Sequence, residues 1–365
     1  MKSKILVVVV LMALLGVLVA GCAAPEPQVV EKEVTRVVEG EKVVEQVVIT
    51  ATPEPEVKET LRVAVVMPSS TTDMAFSQSF YEALLAVQEE MGGPEAMEIA
   101  YSEGMFNVPD AAAALRDYAA EGYQLVIAHG SQYGTSLSQI APDFPETSFA
   151  WGTSVNTYQA EGINNIFAYQ AEAQEGGYVL GTIAGLMSKT GVLGVSGPVE
   201  AGDAKLYVDG FAAGAKNANP NIKVNISYTG SFSDTTLMAT AAETHMSAGA
   251  DMLTGSSQSV VGAIGVAKDK GGFWFGTQWD QANLAPETVV ASQVYDWSGT
   301  VKDMIASHNA GVMGGKSYTL TFKNGGLVIV YNPAIDVPAE VKAAADAAIQ
   351  GIMDDTINPL VGPKQ

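Results

Sequence analysis

Leu61-Arg-Val-Ala-Val-Val-Met67 runs into Ser69-Ser-Thr-Thr-Asp73-Met-Ala-Phe76, and Phe80, Leu84, Val87 and Met91 then recur at helical spacing up to Gly92-Gly93. A short β-branched run of this kind predicts a strand buried on both faces. Apolar residues every three or four positions predict a helix with one buried stripe, and the glycine pair ends it. The unit is therefore strand, polar loop, helix. It repeats downstream: a strand is expected over 97–101, and Pro109 opens an Ala-rich helix through residue 120, a favourable first-turn place for proline. Further strands are expected over 123–128, 147–151 and 163–169.

The rhythm restarts in a second half. Helices are expected over 172–188, 204–217, 237–247, 260–269, 297–308 and 340–352, and strands over 191–196, 222–228, 250–254, 273–276 and 289–294. Segments 318–322 and 327–331, around Asn324-Gly325-Gly326, are expected to pair as a hairpin. Alternating strands and helices imply an α/β fold with parallel sheets covered on both faces. Length and the restart point to two such lobes. The expected division is 61–170 plus about 279–310 for the first lobe and 171–278 plus about 311–365 for the second. Ligands of these folds bind beyond the carboxyl ends of the strands, so the residues just after each strand carry the functional question.

Composition narrows the classes. The 365 residues hold 19 Lys plus Arg against 40 Asp plus Glu, a formal net charge of −21. That balance excludes a nucleic-acid binder, which needs clustered basic residues. One cysteine leaves no intrachain disulfide and no Cys-based zinc site. That residue, Cys22, ends Leu18-Val19-Ala20-Gly21-Cys22, after Lys2, Lys4 and an apolar run too short for a comfortable membrane span. The pattern looks like a bacterial lipobox. It predicts a signal peptide over 1–21, a lipid-modified Cys22 and a soluble protein tethered to the outer side of the cell membrane. Residues 22–60 carry Pro25, Pro27, Pro53, Pro55 and repeated valine pairs between charges, without aromatics. This reads as a flexible tether, with a self-associating stalk as the alternative.

The strand-end inventory is rich in aromatics, hydroxyls, amides and carboxylates. It contains Asp73 and Phe76, Ser131 after His129-Gly, Trp151, Phe232 and Asp234, Gly255-Ser256-Ser257-Gln258, Gln278-Trp279-Asp280, and Asp296-Trp297. Flat rings surrounded by amides and acids suit a small polar aromatic molecule. Each residue also has a plainer role. Phe76 lies on the apolar stripe of its own helix, and Asp73 and Asp234 are of the type that caps helices. His129, His245 and His308 show no metal-ligand spacing. Enzyme signals are poor: there is no G-x-S-x-G, no Walker pattern and no dinucleotide fingerprint.

In order and spacing, several segments resemble the BMP (basic membrane protein) substrate-binding lipoproteins of ABC transporters. They are Asp73-Met-Ala-Phe76-Ser-Gln78, Glu175-Gly176-Gly177-Tyr178, Gly210-Phe211 through Gly214 with Asn219-Pro220, Gly230-Ser231-Phe232-Ser233-Asp234, Gly249-Ala250-Asp251 and Asp280-Gln281 with Ala285-Pro286. The resemblance implies a two-lobed type I periplasmic-binding fold with a purine base or nucleoside in the interlobe cleft. It implies Phe76 and Phe232 stacking on the base from opposite lobes, and Asp73 on the base's edge. Gln278 stands where the nucleoside-binding branch has an aspartate for the ribose hydroxyls, and the lysine expected near Tyr295 is missing. Tyr295-Asp296-Trp297-Ser298 is similar to the branch that binds a bare nucleobase. The resemblance further implies a monomer that performs no chemistry, holds no cofactor or metal and delivers its ligand to a membrane permease. The expected ligand residues are Asp73, Phe76, Ser131, Trp151, Phe232, Asp234, Gln278, Trp279, Asp280 and Trp297.

Overall fold

The computed structural model describes residues 60–364 and the backbone of 29–38 and 41–50. The two valine-rich runs form strands β1 (Val29–Val38) and β2 (Glu41–Thr50), paired antiparallel with Val29 opposite Thr50. This hairpin stands in one compact unit and residues 59–365 in another. The apolar leader and Cys22 lie outside the described residues.

Two six-stranded sheets organise the larger unit. The first contains β3 (Leu61–Val66), β4 (Met97–Ser102), β5 (Leu125–Ala128), β6 (Ser148–Gly152) and β7 (Ile166–Ala171), with β13 (Ser317–Leu320) at its far edge. Its order is β13-β7-β6-β5-β3-β4, all parallel. The second contains β8 (Val192–Gly197), β9 (Lys223–Tyr228), β10 (Met252–Gly255), β11 (Phe273–Gln278) and β12 (Val289–Tyr295), with β14 (Leu327–Tyr331) beside β12. Its order is β14-β12-β11-β10-β8-β9, parallel except for the antiparallel β12–β14 pair. The central strands β5 and β10 are buried at every position, as continuous apolar runs between two helical layers must be.

Helix α1 (Phe76–Met91) follows β3, α2 (Val108–Ala120) follows β4, and a short α3 (Gly134–Ile140) follows β5. Asn107 caps α2 by accepting the Asp110 N–H, with Pro109 inside the first turn. Sequence periodicity missed α3, which is too short to show a stripe. In the second half, α4 (Ala173–Met187) and α5 (Gly202–Ala218) press backbone to backbone. A methyl group at Gly181 would overlap the Phe211 carbonyl, and one at Gly214 the Tyr178 carbonyl. Glycine at these two positions sets how closely the helices approach, and therefore where the start of α5 sits. Helices α6 (Thr235–Ser247), α7 (Val261–Asp269), α8 (Ser298–Asn309) and α9 (Ala339–Met353) complete the cover.

The chain passes between the sheets three times: from β7 into α4, from β12 into α8, and from β13 to β14. Two expectations are corrected here. Segments 318–322 and 327–331 do not pair with each other, because β13 joins the first sheet and β14 the second. The turn signal is genuine: Asn324 accepts the N–H groups of Thr321 and Gly326 and donates to the Thr319 carbonyl. The turn carries the chain across instead of folding it back. The lobe boundaries shift accordingly. Of 279–310, residues 289–295 belong to the second sheet, while α8 packs on α1 with Lys302 paired to Glu90. Residues 317–320, assigned to the second lobe by sequence, belong to the first. No helix among the described residues is long and apolar enough to cross a membrane.

Candidate functional site

A cavity of about 690 Å³, open mouth included, lies where the carboxyl ends of both sheets converge. Loops after β3, β4, β5 and β6 contribute Pro68, Phe76, Phe106, Ser131, Gln132 and Thr153. Loops after β8, β9, β10 and β11 contribute Asp203, Phe232, Ser257, Gln258 and Gln278.

The first wall is built on Phe76, the opening residue of α1. Its ring stacks on His129 at 3.7 Å between centroids and 10° between planes, and meets the edge of Trp297 at 6.4 Å. His129 is fully buried. The Phe76 carbonyl can only accept, so Nε2–H of His129 donates to it at 3.0 Å, and Nδ1 accepts the Tyr169 hydroxyl at 2.8 Å. Burial pulls the imidazole down to about 3, so it is neutral near neutral pH. Trp297 is buried against Phe76, Phe80, Tyr169 and Tyr295, and its Nε1–H donates to Ser79 Oγ at 3.1 Å. Phe76 is thus held from behind by a cluster of rings.

The second wall is polar. Phe232 is half-buried, and its carbonyl accepts the Ser257 hydroxyl at 2.7 Å. Gln278 ends β11 with φ +73°, a left-handed conformation that costs a residue other than glycine about 1–3 kcal/mol. Its side chain is 5% exposed, and its Oε1 is buried without a hydrogen-bond partner. Gln258 Oε1 on the same wall is likewise buried and unpartnered. Leaving such an atom unpaired costs about 1–3 kcal/mol. Asp203 sits in the first turn of α5, and burial lifts its carboxyl to about 6. No salt bridge reaches it among the described residues. Gln281 ties the two walls together: its Nε2 donates to the carbonyls of Met74 and Thr277, both at 3.1 Å, while its Oε1 accepts Trp274 Nε1–H.

Of the ten residues expected to meet a ligand, Phe76, Ser131, Phe232 and Gln278 line this cavity and six do not. Asp73 is occupied by its own helix, accepting the N–H groups of Ala75, Ser77 and Gln78 at 2.8, 3.2 and 3.1 Å. Burial raises its pKa against the pull of those bonds. Asp234 caps α6 through the N–H groups of Thr236 and Leu237. Asp280 closes a local turn on the Ala282 N–H. Trp151 lies behind the loop after β5, donating to the Gly130 carbonyl at 3.2 Å and stacking on Tyr158. Trp279 follows the turned backbone of Gln278 and stays off the cavity. Trp297 is core. The reading from sequence did not single out Asp203, Gln132 or Phe106. For Asp203 a signal existed: a carboxylate opening the helix that follows β8. No cluster of three His, Cys, Asp or Glu able to hold a metal occurs among the described residues.

Comparison with known proteins agrees with this architecture. Residues 60–359 match the Bmp family model, described as ABC transporter substrate-binding protein PnrA-like. A purine-binding protein of Brucella abortus (strain 2308) is 27% identical over 306 residues, covering 84% of this chain and 85% of that protein. An ABC transporter nucleoside-binding protein of Lactococcus lactis subsp. cremoris is 26% identical over 324 residues, covering 83% and 90%. The crystal structure of an ABC transporter solute-binding protein from Aeropyrum pernix K1 superposes with a TM-score of 0.70 at 19% identity, covering 84% of this chain and 94% of that one, and speaks for the fold alone. With paired α/β sheets, a cavity at their carboxyl ends and a family match over most of its length, this chain belongs to the PnrA-like family of ABC transporter substrate-binding proteins, which bind solutes and are not enzymes.

Proposed function

We propose that the protein captures a purine nucleobase in the cleft and delivers it to the permease of an ABC importer, with a purine nucleoside as the alternative ligand. The observation that carries this reading is a cavity lined by an aromatic ring from each side, Phe76 and Phe232, with two unpaired glutamine oxygens beside them. Rings supply stacking and amides supply directional hydrogen bonds, which is what a flat, neutral, nitrogen-rich ligand requires. Gln278 in place of a carboxylate supports the base over the nucleoside, because a ribose diol is best held by charge-assisted bonds. The Brucella and Lactococcus relatives support the ligand class. The Leu18-Val19-Ala20-Gly21-Cys22 motif supports lipid attachment at Cys22 on the extracytoplasmic face. Thermal unfolding with adenine, guanine, hypoxanthine and their nucleosides tests the ligand. A base at about 100 times its Kd should stabilise the protein by about 2.7 kcal/mol. A panel without any shift rejects the purine reading.

A further inference from the structure

The loops after β8, β10 and β11 place Asp203, Gln258 and Gln278 on one wall of the cleft, opposite the ring of Phe76. In the two glutamines the side-chain oxygen lacks a protein partner, and the Asp203 carboxyl is held only by backbone N–H groups at the start of its own helix. Gln278 is 5% exposed and unpaired, in a backbone conformation that costs free energy to hold. Gln258 Oε1 is buried and unpaired. The Asp203 carboxyl takes no side-chain hydrogen bond or salt bridge among the described residues. The Tyr295 hydroxyl feels its charge, and burial raises the pKa of that hydroxyl. Two unpaired amide oxygens and a carboxylate, with no Lys, Arg or His among the residues lining the cavity, call for hydrogen-bond donors on a neutral molecule.

Resting on the cleft reading above, we infer that Asp203 is the specificity-determining residue, accepting N–H groups from the edge of a heterocycle whose ring faces Phe76, with Gln258 and Gln278 taking the adjacent donors. Such an edge carries two or more N–H groups, as in a lactam or amino heterocycle. A heterocycle without N–H donors would displace water from the carboxylate and the two amide oxygens and give no donor in return, so the wall rejects it. An anionic ligand is rejected by like charge.

The test exposes wild-type protein, Asp203→Asn and Asp203→Glu to one mixture of purine bases, their ribonucleosides and 2′-deoxyribonucleosides, pteridines, and N-methylated analogues lacking the ring N–H. Retained compounds are read by mass spectrometry, and affinities by calorimetry. Wild type should retain compounds with at least two N–H donors. Asp203→Asn should bind them at least tenfold more weakly, and Asp203→Glu should recover part of the loss. Asparagine can accept the same backbone N–H groups at the helix start, so the unliganded melting temperature should stay about the same. Retention of an N–H-rich pteridine alone, lost in Asp203→Asn, upholds the inference and overturns the purine reading. Equal affinity in wild type and Asp203→Asn overturns the inference and leaves the purine reading intact. A ribonucleoside whose advantage over its 2′-deoxy form vanishes in Asp203→Asn also overturns it, since the carboxylate then holds the sugar. Retention of nothing overturns both.

Discussion

Behind Phe76 on one wall of the cleft, His129, Tyr169 and Trp297 all have hydrogen-bond partners, whereas across the cleft the oxygens of Gln278 and Gln258 have none. The first wall is finished as folding ends and offers a flat apolar face. The second holds unsatisfied acceptors, at a cost in stability that a ligand can offset. On the proposed reading, both surfaces offer a ring for stacking, which tolerates many ligands, and only the second adds unpaired acceptors, which discriminate among them. The two sheets thus bring different surfaces to one cleft.

The strongest way to break this contrast is to hollow the first wall. Trp297→Ala removes a fully buried indole and leaves Ser79 without its donor, so it should cost about 3–5 kcal/mol in urea unfolding. A cost below about 1 kcal/mol would mean the rings behind Phe76 do not act as one packed support.

Acid probes the same wall. The unfolded chain takes up a proton at His129 below its ordinary value near 6.5, while the folded chain refuses one down to about 3. The stability contributed by the neutral imidazole is therefore full above 6.5 and falls as pH drops through that window. Wild type should lose about 2 kcal/mol more than His129→Gln between pH 6.5 and about pH 5. The difference from the variant is the quantity to measure, because Asp203 and Glu175 are carboxyls held up by burial, at about 6 and about 7. Their contributions run the opposite way and are lost as pH rises. Identical acid slopes in the two proteins would show that the imidazole is not held neutral.

The smallest expected effect sharpens the contrast most. Phe232→Ala alters a half-buried ring with no aromatic partner among the described residues, so stability should move by less than about 1 kcal/mol. Ligand affinity should fall by about 1–3 kcal/mol. Phe76→Ala should lower both, because its ring is packed on His129. If Phe232→Ala binds like wild type, the second wall contributes no stacking surface.

Most of the fold was legible because βα units announce themselves by period: β3 and α1 stand where the β-branched run and the apolar stripe place them. What sequence could not convey is which sheet a strand joins. Asn324-Gly325-Gly326 marks a turn equally well whether the flanking strands pair or part. The site was partly legible for a related reason. Asp73, Asp234 and Asp280 are residue types that serve their own backbone as readily as a ligand, and spacing cannot separate the two uses. Trp297 ends a loop in sequence yet points into the aromatic cluster. Asp203 is a plain helix-opening acid until the close approach of α4 and α5 fixes where that helix begins.

The pairing of β7 with β13 has a bearing on how the chain assembles. Ala168 lies opposite Ser317, yet the second sheet as far as β12 is laid down between them. The first sheet therefore stays open at one edge until nearly the whole polypeptide is available. Contacts this distant in sequence slow folding, and an uncovered β7 edge presents unpaired N–H and C=O groups to other chains. A molecule truncated after α8 would retain both walls of the cleft and still lack the strand that closes its first sheet.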